Sequence, residues 1–144
     1  AVQTNDIEAL RAITEDVDMA VYQAMATLHL ADYYLSKGDV DNTLLQYHAI
    51  IKTGDATKPY YHASAIKYGY LALAHNKQIS PQVLKVIQHY ADASIHWQFS
   101  AREVMGLHYH KLGDKELANK YLEDLANDPN APQTLQYRAG LLLQ

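Results

Sequence analysis

The sequence predicts an all-α chain, a stack of antiparallel helix pairs with seven to eight helices and no strand. Apolar residues recur at helical spacing along most of its length. A segment beginning near residue 30 returns without a gap near residue 105, and most Gly and Pro residues fall between the periodic stretches, where helices stop and start. With 144 residues, 49% of them hydrophobic, the chain can bury about two-thirds of its unfolded surface in a single domain, 1–144. No low-complexity tract reads as a linker.

Taken in order, Asn5 or Asp6 is placed to cap an opening helix bearing Ile7, Leu10 and Ile13, and Asp18 to start a longer one that reaches Lys37. Residues 30–47 then align with residues 105–122. Ala31 falls on Gly106, Tyr34 on Tyr109, Gly38 and Asp39 on Gly113 and Asp114, Thr43 on Ala118, and Tyr47 on Leu122. Each residue type has a packing reason. Small residues at Ala31, Gly106, Thr43 and Ala118 let paired helices approach closely. Glycine takes the left-handed conformation that ends a helix, and the following aspartate accepts the free amide hydrogens of the next. Between the copies, Lys58-Pro59 starts a helix carrying Tyr61, Ala65, Tyr68, Gly69, Ala72 and Leu73. Residues 76–79 break it, and Ser80-Pro81 caps another with Val83, Leu84, Ile87 and Tyr90. Residues 92–96 form a loop, Asp128-Pro129 and Ala131-Pro132 stop the later helix, and residues 133–143 close the chain with Leu135, Ala139, Leu142 and Leu143 on one face.

Small, aromatic, Gly-Asp, small, bulky is the tetratricopeptide pattern, so the expected stack is a right-handed superhelix of helix pairs. In that register the first helix of each pair lines a concave groove. The groove residues are then Met25, Leu28, Asp32 and Leu35 in the first pair, Ile66, Tyr70 and Leu73 in the middle pair, and Ser100, Glu103, Leu107 and His110 in the last. Such a surface, apolar with acidic points, suits a protein or peptide segment, as an amphipathic helix or an extended segment, more than an anionic ligand. Another helix of the chain, or a second copy in a homodimer, is the competing occupant. Tyr34, Tyr47, Tyr109 and Tyr121 fall on packing positions, whereas Tyr60, Tyr61 and Tyr70 are open to either packing or anchoring a partner.

Several chemistries find no support. A formal charge of −4 with three scattered arginines argues against nucleic acid. The lack of cysteine excludes disulfides, Cys-ligated zinc and a thiol nucleophile. No Gly-x-Ser-x-Gly elbow, His-Glu-x-x-His pair or phosphate-cradling loop is present, so neither a catalytic residue nor a cofactor is expected. His108 and His110 point about 200° apart on a helix and cannot share a metal from it. Glu15-Asp16 and Glu123-Asp124 read as solvated helix faces. The alternative reading, a small histidine-dependent metal-binding protein or hydrolase, rests only on the eight histidines.

Residues 6–10 through Gly38-Asp39, the segment 95–107 with Trp97, Phe99 and Met105, and residues 127–132 followed by Tyr137-Arg138-Ala139 together resemble a bacterial tetratricopeptide-like family. This is the YfgM-like family, whose members resemble ancillary subunits of the SecYEG translocon. The resemblance spans nearly the whole chain. It implies a periplasmic domain behind one N-terminal membrane helix, in contact with the translocon, periplasmic chaperones or emerging chains, and it supplies no catalytic residue. The chain opens on Ala1 without a methionine, which leaves an upstream position for that anchor. It departs from the family in residues 60–67, where Tyr60-Tyr61-His62 stands in place of an arginine-rich segment, and in its twelve tyrosines.

Overall fold

Helical periodicity with glycine and proline punctuation is realised as eight α-helices, with no strand among the described residues, in a computed structural model that describes residues 4–14, 20–93 and 95–143. The helices are α1 (Thr4–Thr14), α2 (Ala20–Ser36), α3 (Val40–Thr53), α4 (Pro59–Ala74), α5 (Pro81–Asp92), α6 (Gln98–Leu112), α7 (Lys115–Ala126) and α8 (Gln133–Leu142). They fall into two compact units, Ala1–His75 and Asn76–Gln144. In the first, α1 packs on α2, α2 on α3 and α3 on α4. In the second, α5 packs on α6, α6 on α7 and α7 on α8, and α6 also touches α8. The boundary falls at the His75–Ser80 connection, inside the expected middle helix pair, where α4 ends and Asn76 turns the chain at φ 54°.

The two Gly-Asp turns are near copies of one another. Gly38 (φ 71°) and Gly113 (φ 77°) are left-handed, and their amides donate to the Leu35 and His110 carbonyls at 3.0 and 3.1 Å. The Asp39 and Asp114 amides reach back five residues to the Tyr34 and Tyr109 carbonyls at 2.9 and 3.0 Å, which satisfies carbonyls that a helix end leaves open. Each aspartate then caps the next helix, Asp39 accepting from the Asn42 amide at 3.1 Å and Asp114 from the Leu117 amide at 3.2 Å. The small positions are buried as their types require: Ala31, Gly106, Thr43 and Ala118 all lie within the packed helix pairs.

Other starts differ from expectation. Ser80 occupies the N-cap of α5 ahead of Pro81, but its hydroxyl makes no capping hydrogen bond, so proline's fixed φ sets that start. Asn5 and Asp6 lie inside α1, which already includes Thr4, and are not its cap. Asp18 lies outside the described residues. Tyr47 and Tyr121 are buried as expected, while Tyr34 and Tyr109 are half-buried. Tyr109 stacks on Tyr121 with the rings 6° from parallel, and Tyr34 accepts a hydrogen bond from Arg11 of α1 at 2.6 Å. Ala118, Leu122, Leu125, Ala131, Leu135 and Ala139 form one buried cluster that joins α7 to α8. Arg102 fastens the second unit, donating to the Ala91 carbonyl, Gln98 and Asp128, with its guanidinium 5.7 Å from the centre of the Phe99 ring. Among the described residues no helix is long and apolar enough to cross a membrane.

Candidate functional site

Because α2 is packed by both α1 and α3, it buries Ala24, Ala26, Thr27, Leu30 and Ala31 and leaves a broad face uncovered, with an apolar strip flanked by the exposed His29 and Ser36. Along that strip stand Val21, Met25, Leu28, Asp32 and Leu35, spaced four, three, four and three residues apart. At 100° per residue the five lie within an arc of about 80° and extend about 21 Å. Val21, Met25 and Leu35 are 57%, 42% and 44% exposed, Leu28 is half-buried and Asp32 is exposed. Tyr22, 64% exposed, stands beside the strip.

At its C-terminal end the strip opens into a hollow of about 420 Å³ in the first unit. Asp32 and Leu35 of α2 line it together with Tyr47 of α3 and Lys67, Tyr70 and Leu71 of α4. Burial pushes the Tyr47 phenol above its ordinary value, and the nearby Asp32 carboxylate adds to the shift. The hollow is therefore apolar, with one acidic and one basic side chain in its lining. A second hollow, of about 430 Å³, lies between α2, α3 and the start of α4. Part of its polar lining is bonded locally: the Thr27 hydroxyl donates to the Gln23 carbonyl, Thr53 to the Ala49 carbonyl, and Asp55 accepts from Thr57.

The eleven expected groove residues divide by environment. Asp32, Leu35 and Tyr70 meet in one hollow, and Met25 and Leu28 continue its face along α2. Ile66 and Leu73 are buried, at 5% and 7% exposure, because they join Ala65, Tyr68, Gly69 and Ala72 in the interior of the fold. They are packing residues and not groove residues. Glu103 is likewise no part of an open groove. It is 3% exposed and accepts two hydrogen bonds from Arg138 of α8, at 2.8 and 2.7 Å, so the face of α6 that carries it is partly roofed by α8. Ser100 and Leu107 on the same face are half-buried, and His110 is exposed. Val21, Lys67 and Leu71 escaped the sequence register. The four-three spacing extended back to Val21 would have found the first, whereas the others depend on how α4 packs.

Tyr60, Tyr61 and Tyr70 are all half-buried. Burial lowers the proton affinity of His62 and His108. Among the described residues no group of three or more His, Cys, Asp or Glu side chains is arranged to hold a metal ion. No family model, no curated protein and no solved structure matches the chain.

Proposed function

We propose that the chain is a non-catalytic protein-binding module of the tetratricopeptide type. On this reading it is the periplasmic domain of a single-span membrane protein and contacts the translocon or periplasmic chaperones. The observation that carries the binding role is the uncovered apolar strip of α2 running into the hollow beside Tyr70. Exposed apolar groups aligned on one face and ending in a concavity are what a docked segment needs, and they cost solubility when left bare. The repeated Gly-Asp turn and the small residues at its packing positions support the tetratricopeptide type, and the resemblance to the YfgM-like family supports the location.

The test is site-specific photocrosslinking in cells that express the full-length protein. A crosslinker at Leu35 or Tyr70 is expected to give discrete adducts with another protein. One at Glu116, on the exposed side of α7, is expected to give none. Equal labelling from all three positions would remove the α2 strip as the docking face. Protease protection of the domain in intact cells, lost when the outer membrane is opened, is the expected outcome for a periplasmic location.

A further inference from the structure

Two helices of the first unit carry surface residues at the same spacing, with one charge on each and of opposite sign. On α2 the uncovered strip includes Met25, Leu28, Asp32 and Leu35. On α4, Tyr60, Ala63, Lys67 and Tyr70 repeat the steps of three, four and three. At 100° per residue each set stays within an arc of about 80°. Lys67 is exposed, and Tyr60, Ala63 and Tyr70 are half-buried. The interior of α4 is built from other positions, Ala65, Ile66, Ala72 and Leu73 among them, so this set forms the side that the fold does not fill.

Asp32 and Lys67 line one hollow together with Leu35 and Tyr70. Among the described residues neither charge is held in an ion pair. Short connections join α2 to α3 and α3 to α4, and α3 packs on both neighbours, so α2 and α4 run in the same direction. A two-fold axis laid along the hollow between them carries each helix onto the face of the other, with α2 of one copy parallel to α4 of the second. The matched spacing then sets Asp32 against Lys67, Leu35 against Tyr70, Leu28 against Ala63 and Met25 against Tyr60, and the symmetry makes every contact twice. Pairing α2 with α2 fails on charge. It sets Asp32 opposite Met25 when antiparallel about Leu28, or opposite another Asp32 when parallel, and either arrangement takes a carboxylate out of water without a cation.

We propose that the first unit pairs with a second copy of this chain, α2 against α4 about a two-fold axis, and that this pairing covers the docking face until a partner displaces it. The proposal rests on the protein-binding reading given above and adds the regulation of that site. Two helices side by side, each about 10 Å across and about 21 Å along the strip, offer about 400 Å² per copy. The total of about 800 Å² lies under what stable complexes bury, so the pair forms and parts readily. A cover that must yield to a partner needs that weakness. Unfolding measured at low micromolar concentration therefore reports the single chain.

Sedimentation equilibrium of the full chain from about 10 μM to about 1 mM tests it, and the parent is expected to pass from monomer to dimer across that range. Asp32→Lys and Lys67→Asp each bring like charges together and should each weaken pairing about tenfold or more, while the double variant Asp32→Lys/Lys67→Asp restores it to within about threefold. Both positions are exposed, so melting curves of the dilute variants should match the parent. Glu123→Gln, a charge removed from α7, should leave pairing unchanged. A parent that stays monomeric throughout overturns the proposal. So does a dimer that neither single variant weakens, or one that the double variant fails to restore. The protein-binding reading is separated by the crosslinker at Leu35: adducts with another protein from a chain that never dimerises leave that reading standing and remove this one, whereas adducts only at twice the mass of the chain do the reverse.

Discussion

Of the glycines described in the second unit, Gly106 has the least room for a side chain. A Cβ added there would lie 2.6 Å from Cδ2 and 2.7 Å from Cγ of Leu122, and Leu122 is fully buried with little room to yield. Gly106→Ala should therefore cost about 1–3 kcal/mol in urea unfolding. Leu122→Ala alone should cost about 2–5 kcal/mol through the cavity it leaves. The double variant should be less destabilised than the two added together, because the new methyl occupies part of that cavity, and strict additivity would mean that the two residues are not in contact. His108 gives a second prediction at this scale. Burial holds its imidazole below the ordinary 6.5, as it does for His62, so the unfolded chain takes up these protons at a higher pH than the folded one. The stability they contribute is complete above the unfolded value and is lost as pH falls through it. Melting temperature should drop between about pH 7 and pH 5, and His108→Gln should flatten that slope. Asp39 and Asp128 do not act in this window. Hydrogen bonds from Asn42 to the first, and from Asn130 and Arg102 to the second, hold both carboxyls below the ordinary 3.8. The residues easiest to read from sequence were of the Gly106 and Gly38 kind, because a left-handed turn or a close helix approach restricts the residue type at the position itself. His108 was not legible in this way, since its burial depends on neighbours that the sequence does not place.

At the scale of elements, the ion pairs determine how the second unit closes. Arg138 on α8 reaches Glu103 on α6 with two parallel hydrogen bonds across 35 positions of sequence, and Arg102 reaches Asp128 across 26. Periodicity placed Glu103 on the groove face of α6, where it would meet water or a partner, and it is instead buried. What it could not say is that α8 covers the face, because the polar strip of a helix looks the same whether it meets water or an arginine. The Glu103 side chain is 4% exposed and that of Arg138 54%, so the arginine supplies charge from the surface to a carboxylate that water cannot reach. Arg138→Ala leaves that carboxylate without the pair and should cost about 1–3 kcal/mol, less than for a pair buried on both sides. Glu103→Gln should cost less, since an amide can still accept from the guanidinium and is cheaper to bury. Chemical unfolding of the two variants checks the order, and a larger loss from Glu103→Gln would show that Arg138 is not the main support of the site.

Across the whole chain, apolar side chains are divided between those that hold the fold and those left uncovered, and the boundary does not follow sequence pattern. Ile66, Leu73, Met25 and Leu35 all recur at helical spacing, and one register placed the four on a common groove. The structure buries the two on α4 and exposes the two on α2. Helical spacing fixes which residues share a face, but only packing decides which face is covered. A stability measurement separates the two classes without any knowledge of a partner. Ile66→Ala should cost about 2–5 kcal/mol, because it empties a filled interior position. Met25→Ala and Leu35→Ala should stay within about 0.5 kcal/mol of the parent, as substitutions at exposed positions away from special features usually do. Thermal unfolding of the three variants at one pH and salt decides it. If Met25→Ala or Leu35→Ala destabilises as strongly as Ile66→Ala, the α2 strip is already covered in solution and its residues belong to the packing of the fold. If all three melt with the parent, the interior of α4 is looser than its burial requires. The expected split leaves α2 with aligned apolar groups that the fold does not need, and these are the groups available to a docked helix.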